Sequence, residues 1–530
     1  MQNVVITGFM GTGKTTIGRA VAHELGRPFV DMDAEIEARA GKSVPRIFAE
    51  DGEAAFRRLE AALCADLAAQ GGRVIATGGG ALVDPDNRAA MMASGPVICL
   101  TCAPDEILRR VRGSAGRPLL EVADPRAEIE RLLAARRPVY VAIPWHVDTT
   151  GRPVEILVSQ VVALAETITL PVRYPGGAYP IHVGAGLLAQ AGSALRAVGV
   201  AEGTSVALVS NPTVAPLYEE PLTQALQQAG FCTFVCTIPD GERHKTLDTV
   251  AALYEQFLAE GLDRGSVVLS LGGGVTGDVA GFAAATLMRG VRFAQVPTTL
   301  LAMTDASVGA KTGVDLPQGK NLAGAFKQPE MVLIDPAVLA TLDPAETRSG
   351  MAEVIKHGVI GAPDLFAELA AADPTSIDLA NPLTPAQLAR SLRVKVAIVE
   401  RDPFEGGRRA VLNLGHTVGH GLERLSDFRL RHGEAVSVGM VAAAWIAVEM
   451  ALAPPTLAER VTAALSAWGL PITCPPFEAG AIWRAMAYDK KKKGRRLRWV
   501  LPLEIGRVDV FDDVPQVTVI SVLRRLGATR

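Results

Sequence analysis

Three histidines fall within VLNLGHTVGHGLERLSDFRLRHGE, Val411 to Glu434, in a chain of 530 residues that holds only eight. His416 and His420 are four apart, one above the other on a single helical face, and His432 follows beyond a basic loop. Neutral imidazole is the commonest protein metal ligand, and a catalytic zinc takes three protein ligands and leaves one position open. Taken alone, two histidines at this spacing read more readily as polar residues packed between helices than as ligands. Upstream, MAEVIKHG places Glu353 and Lys356 one helical turn apart. Glu353, His416 and His432 then make the Glu/His/His set of an open zinc site.

A second chemistry stands at the N-terminus. A β-branched strand, Val4 to Thr7, runs into Gly8-Phe-Met-Gly-Thr-Gly-Lys14-Thr15, and a helix is expected from about Thr15 to Leu25. Strand, G-x-x-x-x-G-K-T and helix are the phosphate-binding loop in its required context. Backbone N–H groups of Gly11, Thr12, Gly13, Lys14, Thr15 and Thr16 would cradle nucleotide phosphates at the helix N-terminus. Lys14 would reach the β/γ oxygens and Thr15 would hold magnesium. After it come a strand expected over Arg27 to Asp33, with Asp31 and Asp33 on one side of an extended chain, and Phe56-Arg57-x-x-Glu60 on a helix. IATGGG, ending at Gly78, Gly79 and Gly80, then Gly116-Arg117-Pro118 and Arg136-x-Pro-x-Tyr140 complete the series. Two arginines suit a carboxylate-bearing acceptor.

The elements that must carry these groups suggest about three domains for a chain this long. Few aromatics, 52 glycines and 34 prolines fit an α/β enzyme with many short elements. A net charge of −3 leaves no global field for nucleic acid or membrane. The longest apolar run, Gly439 to Ala453, contains Glu449 and reads as a buried helix. The apolar strand within the first residues predicts no signal peptide. Six cysteines form no disulfide framework, and Cys99-x-x-Cys102 lies on an apolar strand, so the expected compartment is the reducing cytoplasm. A joint is expected near 166–170, followed by two strands around a Pro-Gly-Gly turn within Ile168 to Gly184. From Thr204, strands and helices alternate, as in a parallel sheet covered by helices. GGGVTGD, Gly272 to Asp278, could be only a tight strand-to-helix turn, but its glycines also let a pyrophosphate approach a helix N-terminus. After QVPTT comes a polar, glycine-dense stretch running to Pro329, long for a surface loop and suited to an anionic, hydroxylated ligand. KKKKGRRLR lacks interleaved aromatics and is not taken as a nucleic-acid patch.

In this order, the N-terminal motifs resemble shikimate kinase across about residues 1–165. The resemblance implies ATP with Mg2+, Asp31 assisting the metal beside Thr15, and Asp33 holding the ring hydroxyls and activating one. It places Arg57 and Arg136 on the shikimate carboxylate beside Gly78, Gly79 and Gly80, and Arg117 on a lid with Lys14. Arg110, Arg152 and Pro153 fall near adenine. Phosphoryl transfer needs such positioning and positive charge more than covalent help.

GGGVTGD, QVPTTLLA, SVGAKTGVD, MAEVIKHG, LNLGHTVGHGLE and HGEAVSVGM resemble 3-dehydroquinate synthase over about residues 168–530. One departure is Ala310, where the family usually has glycine and a methyl group could crowd the backbone. The resemblance implies NAD held by Gly272, Gly273, Gly274, Asp278, Asp240, Glu242, Lys245, Thr298 and Thr299, with Lys311 and Lys320 nearby. It implies Zn2+ (or Co2+) on Glu353, His416 and His432. Substrate would meet Arg289, Asp305, Lys311, Lys320, Asn321, Lys356, Lys395, Arg409, Asn413, His420, Lys490 and Lys491, supported by Glu405. His420 is the candidate proton shuttle, and Lys311, Lys356 and Glu405 join it as catalytic candidates. In that reaction zinc polarises a hydroxyl of 3-deoxy-D-arabino-heptulosonate 7-phosphate and NAD takes and returns a hydride. Phosphate leaves in between, and ring opening with aldol closure gives the carbocycle.

The expected architecture is thus α/β. It comprises a P-loop kinase domain (1–166, parallel sheet with helices), a Rossmann-like NAD domain (168–337) and a mainly helical zinc and substrate domain (338–530). The expected partners are small molecules, with a homodimer through the synthase part and neither nucleic acid nor membrane. Two other readings stay open on sequence. One is a different sugar-phosphate cyclase fused to another small-molecule kinase; the other has one half as a non-catalytic nucleotide-binding scaffold.

Overall fold

A computed structural model describes residues 1–111, 124–427, 429–491 and 497–530, apart from the side chains of 487–491. The chain divides into two compact units. One is Met1–Ile168 with Gly184–Thr204 and Pro221–Thr233; the other is Thr169–Val183 with Ser205–Glu220 and Phe234–Arg530. The first unit thus takes two segments from beyond the expected joint, and the second holds NAD-type and helical parts together.

The first unit is built on a five-stranded parallel sheet. Its strand order is Phe29–Asp31, Val74–Ala76, Val4–Gly8, Val97–Thr101, Trp145–Asp148. Val4–Gly8 is buried at every residue, as expected for a central parallel strand covered on both faces. Val5, Phe9, Met32, Ile36, Leu63 and Ile75 are part of its core. Helix Lys14–Glu24 starts directly after Gly13, whose φ of 95° favours glycine. The strand expected over Arg27 to Asp33 stops at Asp31. Asp31 caps helix Met32–Ala40, accepting from the N–H groups of Asp33 at 3.1 Å and Ala34 at 3.4 Å. Aspartate is a strong N-cap, so the turn it stabilises wins over strand extension. Asp33 therefore lies in the first helical turn and does not share an extended chain with Asp31.

The second unit contains most of a seven-stranded sheet ordered Ile168–Tyr174, Gly177–Val183, Val332–Ile334, Arg292–Pro297, Val267–Gly272, Ser205–Ser210, Cys232–Thr237. The pairings from Gly177–Val183 through Ser205–Ser210 are parallel. Val209, Leu253, Phe257, Val268, Val279 and Phe293 fill its core. The polar stretch that would be long for a surface loop is largely folded. A π-helical turn, Ala302–Ala306, leads to an antiparallel hairpin of Lys311–Leu316 and Gly319–Phe326. Gly313 and Gly324 make that pairing close: a Cβ on Gly324 would stand 2.4 Å from the Thr312 carbonyl oxygen. Polar composition hid the strands because most of the hairpin's outer strand is exposed or half-exposed.

The rest is mainly helical. Helix Pro344–Gly361 is capped by Asp343 and has Pro344 at its first turn. Helix His432–Glu449 is buried along most of its length and covers the expected apolar helix from Gly439 to Glu449, stopping short of Ala453. Its small residues let neighbours approach. A Cβ on Gly439 would lie 1.9 Å from the Gly415 carbonyl oxygen, and one on Gly433 1.9 Å from that of Ser349. No helix among the described residues is long and apolar enough to cross a membrane.

Candidate functional site

In the first unit, the loop after Val4–Gly8 folds back over itself. Lys14 Nζ donates to the carbonyls of Gly8 and Phe9, both at 3.0 Å, and Thr12 Oγ1 to Phe9 O at 2.7 Å. Burial, opposed by Asp33, lowers the Lys14 pKa to about 8. Thr15 Oγ1 donates to Asp31 Oδ2 at 2.7 Å, so the two candidate magnesium groups stand together. Burial, then the Asp31 charge, raises the Asp33 pKa, which suits a group that accepts a proton from a hydroxyl. Arg110 reaches Thr149 O at 2.7 Å and Gly11 O at 3.3 Å. Arg152 is exposed, 3.5 Å from Asp148 O. Arg117 lies outside the described residues.

The three glycines after Val74–Ala76 each face one candidate acceptor group. A Cβ on Gly78 would stand 2.8 Å from Asp33 Oδ1, on Gly79 3.2 Å from Arg136 Nη1, and on Gly80 2.9 Å from Arg57 Nη1. Larger residues would fill the space where a ring acid could lie. Arg136 donates to Gly79 O at 2.9 Å, beneath the Phe9 ring, and the Tyr140 hydroxyl donates to the same carbonyl at 3.2 Å. Arg57 is steadied by Glu60, buried and 2.7 Å away. Sequence reading quoted Glu60 and Tyr140 but gave neither a role; the i, i+3 spacing of Arg57 and Glu60 was the available signal.

In the second unit a cavity of about 1920 Å3 is lined by two groups of candidates. One group is Asp240, Glu242, Lys245, Gly273, Gly274, Asp278, Thr298, Thr299, Lys320 and Asn321. Helix Gly274–Thr286 points its N-terminus there, directly after Gly272 and Gly273. Burial raises the Asp278 pKa to about 6 despite its ion pair with Lys245. Lys245 Nζ also donates to Asn321 Oδ1 at 2.6 Å. Lys320 pairs with Glu242 at 3.1 Å. The other group is Glu405, Asn413, His416, His420, Glu423 and His432.

The Glu/His/His set is brought together by three helices. Glu353, on Pro344–Gly361, is fully buried and its Oε2 is ion-paired with Lys356. Its Oε1 lies 3.7 Å from His416 Nε2 and 3.6 Å from His432 Nε2, too far for hydrogen bonds. Tetrahedral ligands about 2.1 Å from a zinc stand roughly 3.4 Å apart, so this spacing fits a metal ion that Glu353, His416 and His432 would hold. Both imidazoles are oriented for this. His416 Nδ1 is bonded to Leu414 O at 3.1 Å, and His432 Nδ1 to Glu423 Oε1 at 3.2 Å, leaving each Nε2 for a ligand. Burial opposes ionisation of Glu353, but Lys356, His432 and His416 together outweigh it and hold the pKa well below the usual carboxylate range. Glu423 was missed by sequence reading, although it stands three residues after His420. His420 lies with the set, 5.2 Å from His416 between ring centroids.

Around this set, Lys395 is paired with Asp305 at 2.6 Å and Lys311 with Glu405 at 2.6 Å. Lys356, Lys395 and Arg409 are buried. Arg409 Nη2 donates to Gly309 O at 3.0 Å, and its backbone N–H to Asp402 at 2.9 Å. Asp402 also accepts from the N–H groups of Gly406 and Gly407, so it shapes the whole loop carrying Glu405. Arg289 is exposed and is not among the described residues lining the cavity. The side chains of Lys490 and Lys491 lie outside the described residues.

Comparison with known proteins gives the family of each part of the chain. Residues 10–166 match the family described as shikimate kinase, 235–349 that of 3-dehydroquinate synthase N-terminal and 350–492 that of 3-dehydroquinate synthase C-terminal. The 3-dehydroquinate synthase of Synechococcus sp. is 46% identical over 367 residues, which cover 68% of this chain and 99% of that protein. Among solved structures, a 2-epi-5-epi-valiolone synthase from Streptomyces hygroscopicus with NAD+ and Zn2+ bound is similar at 29% identity and TM-score 0.60. It covers 66% of this chain and 96% of its own. A 2-deoxy-scyllo-inosose synthase complexed with carbaglucose-6-phosphate, NAD+ and Co2+ is similar at 26% identity and TM-score 0.60, over 68% and 99%. The chain belongs to the 3-dehydroquinate synthase family and carries a shikimate kinase domain ahead of the synthase.

Proposed function

We propose that this chain performs two non-adjacent steps of aromatic precursor biosynthesis. Residues 1–166 would phosphorylate shikimate at its 3-hydroxyl with MgATP. Residues 168–530 would convert 3-deoxy-D-arabino-heptulosonate 7-phosphate to 3-dehydroquinate and phosphate, with a nucleotide part to 337 and a metal part beyond it. The observation that carries the synthase reading is the buried Glu353 Oε1 facing two Nε2 atoms whose Nδ1 partners are already fixed. NAD would supply reversible hydride transfer there, and a divalent ion would polarise the hydroxyl being oxidised.

The chain's own residues do the rest. Lys356, Lys395 and Arg409 supply positive charge for a substrate carrying carboxylate and phosphate. His420, on the cavity wall beside the three candidate ligands, would move a proton. In the kinase part, Arg57 and Arg136 would hold the carboxylate while Asp33 takes the hydroxyl proton. A homodimer through the synthase part and a cytoplasmic location complete the reading.

The test is phosphate release and dehydroquinate formation by the chain supplied with zinc and NAD, beside Glu353→Gln, with shikimate-dependent ADP formation from MgATP measured on the same samples. Turnover of both substrates by the unmodified chain, with only the synthase lost in Glu353→Gln, is expected. The two structural likenesses favour a second reading, another sugar-phosphate cyclase. It would show as zinc and NAD binding without turnover of the heptulosonate phosphate.

A further inference from the structure

Trp145–Asp148 is an edge of the five-stranded sheet, so one row of its backbone groups lacks a neighbouring strand. Within the same compact unit, Gln190 stands in for one. Its Oε1 accepts the His146 N–H at 2.9 Å, and its Nε2 donates to the His146 carbonyl at 3.0 Å. A paired strand would satisfy the same two groups. Ser193 Oγ donates to Pro144 O at 2.7 Å. Glu202 is ion-paired with Arg137 and lies 3.6 Å from Arg196. Gln190, Ser193 and Glu202 belong to Gly184–Thr204, beyond the residues that match the kinase family.

The contacts continue to the wall where the acid is proposed to bind. His146 Nε2 is 3.0 Å from the carbonyl oxygens of both Tyr140 and Ile143, which fixes the turn from helix Pro125–Val141 into the edge strand. The Tyr140 hydroxyl and Arg136 Nη1 both donate to Gly79 O. Arg137, next to Arg136 on that helix, is the residue that Glu202 holds.

We propose that Gly184–Thr204 is a docking clamp for the kinase part, in which Gln190 and Glu202 are positioning residues for Arg136 and Gly79. The inference rests on the reading of Arg136 as a carboxylate-binding residue. An exposed ion pair alone contributes little. Two hydrogen bonds to an open sheet edge contribute more, because without them both backbone groups must turn to water. The kinase site then depends on residues that the kinase family match does not include.

The test uses the full chain with Gln190→Ala, Glu202→Ala and both together. Loss of two hydrogen bonds of ordinary strength should raise the Michaelis constant for shikimate about three- to tenfold, with kcat and the constant for MgATP changed less than about twofold. Backbone amides of Trp145–Asp148 should exchange faster with deuterium, while synthase turnover stays unchanged. An unaltered shikimate constant in a variant with faster strand exchange overturns the proposal. So does an equal loss for both substrates together with a reduced folded fraction, which marks a purely structural role. Should the double variant fail to fold, Gln190→Ala alone carries the same readouts, since it removes both bonds to the edge strand. A wild-type chain that does not phosphorylate shikimate would instead refute the reading of Arg136, and is told apart by that control.

Discussion

Gly433 donates its backbone N–H to Ser349 Oγ at 2.9 Å, while a Cβ on Gly433 would stand 1.9 Å from the Ser349 carbonyl oxygen. This contact locks two helices together one turn before Glu353 and one residue after His432. It therefore sets the separation of two proposed metal ligands. Gly433→Ala needs about 1.5 Å more room at the crossing to reach ordinary van der Waals distance. Zinc retention is expected to weaken about 10- to 100-fold, with synthase turnover lost and kinase turnover kept. Metal content after dialysis measures it, and wild-type zinc content in a folded variant would contradict it.

Glu423 offers a milder perturbation of the same centre. Its carboxylate accepts from His432 Nδ1 and fixes which nitrogen faces Glu353. Glu423→Gln keeps the shape but lets the amide donate instead of accept. Competition with a chromophoric chelator should show zinc affinity reduced by about 10- to 100-fold. An unchanged affinity would mean the Leu414 and Glu353 contacts suffice.

What could be read in advance divides along physical lines. The loop around Lys14 and the Glu353, His416 and His432 set were legible because backbone phosphate cradles and metal ligation demand fixed residue types at fixed spacing. Asp31 misled because its capping of the next helix depends on which backbone N–H groups the chain offers, and alternation along a strand does not reveal that. The Lys311–Phe326 hairpin was not recognised because its outer strand is mostly exposed and polar or glycine-rich. Ser349 and Gln190 gave no signal, since each acts through a distant partner that only the folded chain brings near.

Ala310 holds a backbone φ of 63° while almost fully buried, next to Gly309 at φ 102°. The methyl group expected to crowd the backbone acts through conformation, because left-handed geometry costs an L-residue roughly 1–2 kcal/mol. Ala310→Gly relieves that but adds freedom to the unfolded chain, leaving a net gain of about 0.5–1 kcal/mol. The urea midpoint for loss of synthase activity should rise and that for kinase activity should not. Gly309→Ala should do the reverse, since its Cβ would lie 2.2 Å from Arg409 Nη2. A lower midpoint for Ala310→Gly would show that the strain is offset by packing of the methyl group.

His182, buried on strand Gly177–Val183, is bonded through Nδ1 to Thr169 Oγ1 at 2.9 Å. Burial depresses its pKa from 6.5 to about 4, so the folded chain keeps it neutral where the unfolded chain takes up a proton. Its contribution to stability is complete above pH 6.5 and is lost as pH falls toward 4. One proton taken up on unfolding makes that loss at most about 1.4 kcal/mol per pH unit. Burial depresses His146 and, to about 3, His357 in the same direction, so acid sensitivity is shared. His182→Gln retains a polar partner for Thr169 without the titration. Its unfolding midpoint should therefore fall less steeply than the wild type's across that window. Parallel curves would show that His182 is already protonated in the folded chain.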